Sequence, residues 1–273
     1  MIVALGGGKG LTSTLLALKE FGFEFGGVVE TTDSGSSTGK LRKMHNVPAM
    51  GDLRRVIDHL AGNELGMLME KRVEGHAIGN LVLLQLIKER GMREAVRIYA
   101  RFLGVRERIE PLFEEPADLV AMIQGRRIFG EEEIDRHTGI ERIWIEPDVE
   151  PNPHAVELVE NAEVLILGPG SIFTSILPHL LVEEMRRAIK GKKVIYVANV
   201  RNDLKSSEGF TLKDYLCVLK RFGGIRPDFV IAQYPEKGVR IDAPCIKADV
   251  ARDNHFHDVK KLGEVLWRLL SSI

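Results

Sequence analysis

Hydrophobic positions follow two alternating rhythms along the chain. Short runs that are apolar almost throughout, such as 2–5, 164–167 and 194–198, alternate with longer stretches whose apolar residues recur every three or four positions. The first pattern suits a strand covered on both faces, and the second an amphipathic helix. Strands are predicted at 1–5, 25–30, 118–123, 142–146, 163–167, 194–198, 228–232 and 244–248, and helices at 11–21, 153–161, 172–189, 211–222 and 257–271. This alternation predicts an α/β fold: a Rossmann-like, doubly wound, mostly parallel sheet with helices on both faces. Over 51–104 the rhythm changes. Ile57, Leu60, Leu65, Leu68, Leu81, Leu84, Ile87, Val96 and Leu103 keep helical spacings and no strand stands out. A helical insertion after the second strand is expected there, within one domain of residues 1–273.

Composition narrows the function classes. At 273 residues and 44% hydrophobic content, a chain of this size buries about three quarters of its unfolded surface. The 38 basic and 39 acidic residues nearly cancel, leaving no global field to attract nucleic acid or an anionic membrane. A nucleotide would therefore be bound as a small molecule. No apolar run approaches the ~20 residues needed to span a bilayer, and the start carries no leader pattern, so a cytoplasmic location is expected. Cys217 and Cys245 share no metal spacing and are expected to be inert core thiols.

Candidate chemistry concentrates in glycine-rich turns. Gly6-Gly7-Gly8-Lys9-Gly10 follows the first predicted strand, and Gly168-Pro169-Gly170-Ser171 follows 164–167. Glycine admits close approach of a ligand, and a helix start just beyond supplies unpaired N–H groups and partial positive charge for a phosphate. The two turns are expected to converge on a shared diphosphate. The first lacks the complete dinucleotide fingerprint, because Leu11 or Ser13 stands where the third glycine belongs. The polar segment 31–42 ends in Gly39-Lys40 but is no Walker loop, since Ser34 replaces its first glycine and Leu41 its metal-binding hydroxyl. It lies where ligands of open α/β sheets bind, with Glu30 and Asp33 placed for a ribose hydroxyl. Asp52 either caps the helix it opens or stands with Arg54 at the cleft rim. His76 can serve as an acid or base or as a structural residue, and Asn80 can read a base edge or phosphate. Gly75 and Gly79 are read as helix glycines, Ser171 as a cap, and Pro178 as a bend in its helix. His255-Phe256-His257-Asp258 reads as a helix start rather than a metal site.

Taken in order, Gly6 to Leu11, Asp33 to Arg42, Pro48 to Arg54, Gly75 to Leu81 and Leu167 to Pro178 resemble the YvcK branch of the CofD-like family, often labelled gluconeogenesis factor. The resemblance extends through Asn199 and 209–211 to the final helix. It implies a Rossmann-like fold with a cleft at the carboxyl edge of the strands, holding a nucleotide sugar such as UDP-N-acetylglucosamine or an NAD-like nucleotide. It also implies a regulatory role in cell shape and growth on gluconeogenic carbon sources, a cell-wall synthesis protein as partner, and a homo-oligomer. The CofD branch implies an alternative, Mg²⁺-dependent transfer of a phospholactyl group to a deazaflavin precursor. Lys9 stands where threonine is usual, Ser34 replaces one of an acidic pair, Ser36 a glycine, and Lys40 an arginine. The expected ligand residues are Gly7, Gly8, Lys9 and Gly10; Thr32, Asp33, Ser36, Ser37 and Arg42; Asp52 and Asn80; and Gly168, Pro169, Gly170 and Ser171 with Asn199.

Overall fold

A computed structural model describes residues 1–201, 204–233, 243–253 and 255–273. The chain opens with β1 (Ile2–Gly6), α1 (Gly8–Glu20) and β2 (Phe25–Val29), a parallel β–α–β unit. A helical stretch follows: α2 (Ser36–His45), α3 (Gly51–Ala61), α4 (Glu64–Glu70), the small hairpin β3 (Arg72–Val73) and β4 (His76–Ala77), α5 (Ile78–Arg90) and α6 (Met92–Phe102). β5 (Arg108–Pro111) then returns to the sheet. Next come β6 (Asp118–Ile123), β7 (Arg126–Phe129), α7 (Glu131–Ile134), β8 (Ile140–Glu146), α8 (Pro153–Glu160) and β9 (Val164–Leu167). A π-helical turn (Ile172–Ile176) leads into α9 (Leu177–Leu181), α10 (Glu183–Ile189) and β10 (Lys193–Val197). The rest is a 3-10 turn (Lys205–Ser207), α11 (Leu212–Gly223), β11 (Phe229–Ala232), β12 (Cys245–Lys247) and α12 (Val259–Leu270).

Among the described residues seven strands form one sheet in the order β12-β11-β10-β9-β1-β2-β5, and each pair is parallel. Strand alternation divides the core between its faces. Val3, Leu5, Leu165, Leu167 and Tyr196 belong to one apolar cluster, while Ile2, Ala4, Ile166, Ile195 and Val197 belong to the other. The first face is covered by α8, α9, α10 and α11, the second by α1, α3, α5, α6 and α12. β1 has β2 on one side and β9 on the other. The chain reverses its direction of winding at that point, and the crevice above the carboxyl ends of β1 and β9 is the site such sheets offer a ligand.

Several expectations need correction. The runs 118–123 and 142–146 are strands, but they pair antiparallel with each other and with β7 in a separate three-stranded sheet. β5 was not expected, and the helical stretch contains the hairpin β3–β4. Gly75 lies in that hairpin's turn at φ +83 rather than in a helix. The helix predicted over 172–189 is a π-helical turn and two short helices separated at Val182, with Pro178 in the first turn of α9, where its missing N–H costs nothing. Cys217 is exposed, so it is no core thiol, whereas Cys245 is half-buried and packs at the margin of the core. Cys217 lies on the outer face of α11 and Cys245 begins the edge strand β12.

Candidate functional site

Both glycine turns sit at the β1–β9 crevice. Gly6 ends β1, Gly7 is the extended N-cap of α1, and Gly8 (φ +57) begins the helix, so the run is a helix start rather than a free loop. A side chain at Gly10 has no room: its Cβ would lie 2.0 Å from the Pro169 carbonyl oxygen. Only glycine lets the two backbones touch in this way. Thr14 on α1 secures the contact by donating to the Gly168 carbonyl at 3.0 Å.

The second turn is wired internally. The Gly170 N–H donates to Asn199 Oδ1 at 2.8 Å, and Asn199 Nδ2 donates back to the Gly170 carbonyl at 3.1 Å. Ser171 Oγ accepts from the Thr174 N–H, as a cap should, and donates to Asp135 Oδ1. Thr174 and Ser206 also donate to the Asp135 carboxylate, each at 2.8 Å. Burial raises the Asp135 pKa while these hydroxyls restrain it. The sequence reading missed Asp135, which reaches the turn from just beyond α7.

Four carboxyl groups gather beneath the first turn. Glu30 is 1% exposed; its Oε2 accepts from the Thr32 N–H and hydroxyl, while its Oε1 has no hydrogen-bond partner among the described residues. The Thr32 hydroxyl also lies 2.6 Å from Glu131 Oε1. One hydroxyl proton cannot serve two carboxylates, so one of the pair holds a proton. Burial first, then the Glu30 charge, pushes Glu131 well above the carboxylate range, making it the protonated member. Burial raises Glu30 to about 7 and Asp33 to about 6, with the Asp52 charge adding to both. Asp52 does not cap α3, whose N-cap is Met50. Its carboxylate accepts from Arg55 at 2.7 Å and faces the backbone of Gly8, and burial raises its pKa.

The expected phosphate grip is therefore altered. A Cβ on Gly7 would meet Asp52 Oδ2 at 2.8 Å and Glu30 Cγ at 3.0 Å, so side chains already fill that approach. The Gly170 amide is spent on Asn199, and the Asp52 carboxylate stands against Gly8. These two turns meet, but the Gly8 and Gly170 amides do not point together at an open space.

The polar segment divides into outward and inward parts. Ser36 is exposed at φ 47 in the first turn of α2. Asp33 accepts from the Gly35 N–H at 2.8 Å. Arg42 is buried, donating to the Thr32, Asp33 and Ala117 carbonyls and pairing with Asp118 at 3.1 Å. Its guanidinium holds the segment's shape. Asn80 joins a buried chain in which Arg54 Nε donates to Asn80 Oδ1 and Asn80 Nδ2 donates to Ser37 Oγ. Ser37 Oγ lies 2.8 Å from His76 Nδ1. His257 is buried against the Ala198 carbonyl and neutral, its pKa driven to about 4 by burial, while Asp258 caps α12.

Beside the first turn, a cavity of about 570 Å³ runs along the outer face of α1. Lys9, Thr12, Arg55, His59, Arg252 and Phe256 line it. Its size suits a small-molecule ligand. Lys9 Nζ stands 4.8 Å from the Phe256 ring centre, a cation–π contact worth about 0.5–1 kcal/mol when exposed. Among the described residues no three His, Cys, Asp or Glu side chains converge as a ready metal cage, and no helix is long and apolar enough to cross a membrane.

An open, doubly wound sheet with glycine turns meeting at its switch point defines a Rossmann-like α/β protein. The chain belongs to the CofD family, described as 2-phospho-L-lactate transferase CofD, which matches residues 2–265. It is similar to a gluconeogenesis-factor homologue of Thermotoga maritima, at 39% identity over 98% of each chain. The gluconeogenesis factor of Listeria innocua is 32% identical over 82% of this chain and 74% of its own. A crystal structure of a upf0052 family member from Bacillus halodurans matches with a TM-score of 0.90 at 27% identity, covering 97% of this chain and 98% of that one.

Proposed function

We propose that the chain is a gluconeogenesis-factor protein that binds a nucleotide sugar, UDP-N-acetylglucosamine or an NAD-like nucleotide, over the first glycine turn. The observation that carries this reading is the contact of two glycine turns at the switch point, beside a cavity lined by Lys9 and Arg55. The diphosphate would lie at the mouth of α1, with Lys9 and Arg55 as cations and the Thr12 side as its wall. Asp52 now stands at that mouth, its carboxylate against Gly7 and Gly8 where a phosphate oxygen would lie. Because Asp33 and Asp52 lie close by, the diphosphate enters with Mg²⁺, which binds through one or two carboxylates and the ligand's own oxygens rather than in a protein cage. Bound ligand would signal to a cell-wall synthesis protein and so couple cell shape to growth on gluconeogenic carbon sources.

The test is a thermal-shift and calorimetric panel of UDP-N-acetylglucosamine, NAD and GDP, each with and without Mg²⁺. Saturable, Mg²⁺-strengthened binding of a UDP-sugar or NAD without product supports the reading, and no binding by any of the three removes it. The second reading, phospholactyl transfer with Asp33 and Asp52 on Mg²⁺, draws on the family description. It requires Mg²⁺-dependent GMP release when the guanylyl-activated phospholactate and a deazaflavin acceptor are supplied.

A further inference from the structure

A second concentration of charge lies at the other end of the strands. α6 buries Ala95, Val96, Tyr99 and Ala100 against α5, α3 and β5. The same helix carries Arg93, Arg97 and Arg101 four residues apart, hence in one row. After a turn at Gly104 (φ +80) the chain runs back as Arg106 and Arg108 into β5, the outermost strand. Together the five arginines line a pocket of about 360 Å³. Because Arg108 pairs in register with Gly26 near the start of β2, the pocket lies at the amino end of the sheet, away from the glycine turns.

Neutralisation there is incomplete. Arg97 is chelated by Glu94, and Arg108 donates to Glu110 at 3.1 Å and Glu157 at 2.9 Å. Glu107, also in the lining, is drawn off by Lys19 at 2.9 Å. Arg93 Nε is buried and ion-paired to Glu110 at 3.5 Å, with no hydrogen bond among the described residues. Arg101 and Arg106 are exposed, and no side-chain partner is seen for either among the described residues. Protecting an edge strand from pairing needs charge alone. It does not need a concave pocket in which two guanidinium groups without a side-chain partner among the described residues, Arg101 and Arg106, line the same space.

We propose that this pocket binds a compact polyanion of the class of bisphosphates and short polyphosphates. Arginine forks suit phosphate oxygens bidentately, and the pocket's small size favours a compact ligand over an extended one. The probe is inorganic tripolyphosphate, titrated calorimetrically into the full chain already saturated with UDP-N-acetylglucosamine, so that the glycine-turn crevice is occupied. One ion per chain is expected, with affinity falling as salt rises. The R101Q/R106Q variant removes two exposed side chains and leaves α6 packing intact, so its melting temperature should match that of the native chain. It should bind tripolyphosphate at least about tenfold more weakly, about 1.4 kcal/mol, while UDP-N-acetylglucosamine titration is unchanged. Should UDP-N-acetylglucosamine not bind, the comparison of native and variant chains is run without it, which keeps this test separate from that of the crevice. Unchanged affinity in the variant overturns the proposal, as does stoichiometry well above one, or tighter binding of an acidic peptide than of tripolyphosphate.

Discussion

The two glycine turns look alike in sequence and differ in wiring. The second is closed on itself: Asn199 takes both polar groups of Gly170, and Asp135 gathers Ser171, Thr174 and Ser206. The first has no side-chain cap at Gly7 and faces a bed of carboxyl groups raised by burial. One turn is thus a brace that holds its shape without a ligand. The other is an unfinished helix mouth whose nearest anion, Asp52, is a side chain that can be displaced. A glycine-rich turn alone does not mark a phosphate site; the fate of its N–H groups decides.

Changes that merge or separate these roles test the contrast. Gly10→Val should have the largest effect, because its Cβ would collide with the Pro169 backbone and force the turns apart. A loss of about 3 kcal/mol or more in urea unfolding is expected, together with loss of UDP-N-acetylglucosamine binding. Native-like stability would mean that the contact is soft. Asn199→Ala should cost about 1–3 kcal/mol by leaving the Gly170 groups unpaired; an unchanged urea midpoint would show that the brace lies elsewhere.

The carboxyl bed gives a smaller, pH-dependent effect. Glu30 titrates at about 7 folded against 4.5 ordinarily, so in that window the folded chain holds more protons than the unfolded one, and stability falls as pH rises through it. His179 and His257, held neutral down to about 4 from 6.5 by burial, act in the opposite sense, raising stability as pH climbs from about 4 to 6.5. Above about 6.5 only the carboxyl effect remains. Melting temperature should decline from pH 6.5 to 8 in the native chain and stay flatter in Glu30→Gln. Asp52→Asn should have the mildest effect, raising Mg²⁺-free UDP-N-acetylglucosamine affinity by about fivefold, roughly 1 kcal/mol. A fall instead would show that the carboxylate itself is needed.

The central sheet was legible because its strands are buried on both faces and read as unbroken apolar runs. β5 was not, because Arg108-Ile109-Glu110-Pro111 carries two charges that pair with one another at the sheet's edge. The runs 118–123 and 142–146 announced strands but not partners. Their sheet depends on a tight turn at Gln124 and Gly125, both at positive φ, where the sequence lacks the usual Asn-Gly signal. At the site, the glycines were readable because backbone crowding leaves no alternative. Glu131, Asp135 and Arg55 were not, since each arrives from an element whose place only the tertiary fold determines. Arg42 and Asn80 were named from their polarity alone, which says nothing of direction; the fold hydrogen-bonds both to the chain itself.

The bond from Thr14 to the Gly168 carbonyl joins positions 154 residues apart. A chain emerging from the ribosome would carry its amino-terminal glycines through more than half of synthesis with nothing opposite them. The crevice between the two turns is therefore complete only once the later half has been made, so any test of nucleotide binding there needs residues from both halves of the chain.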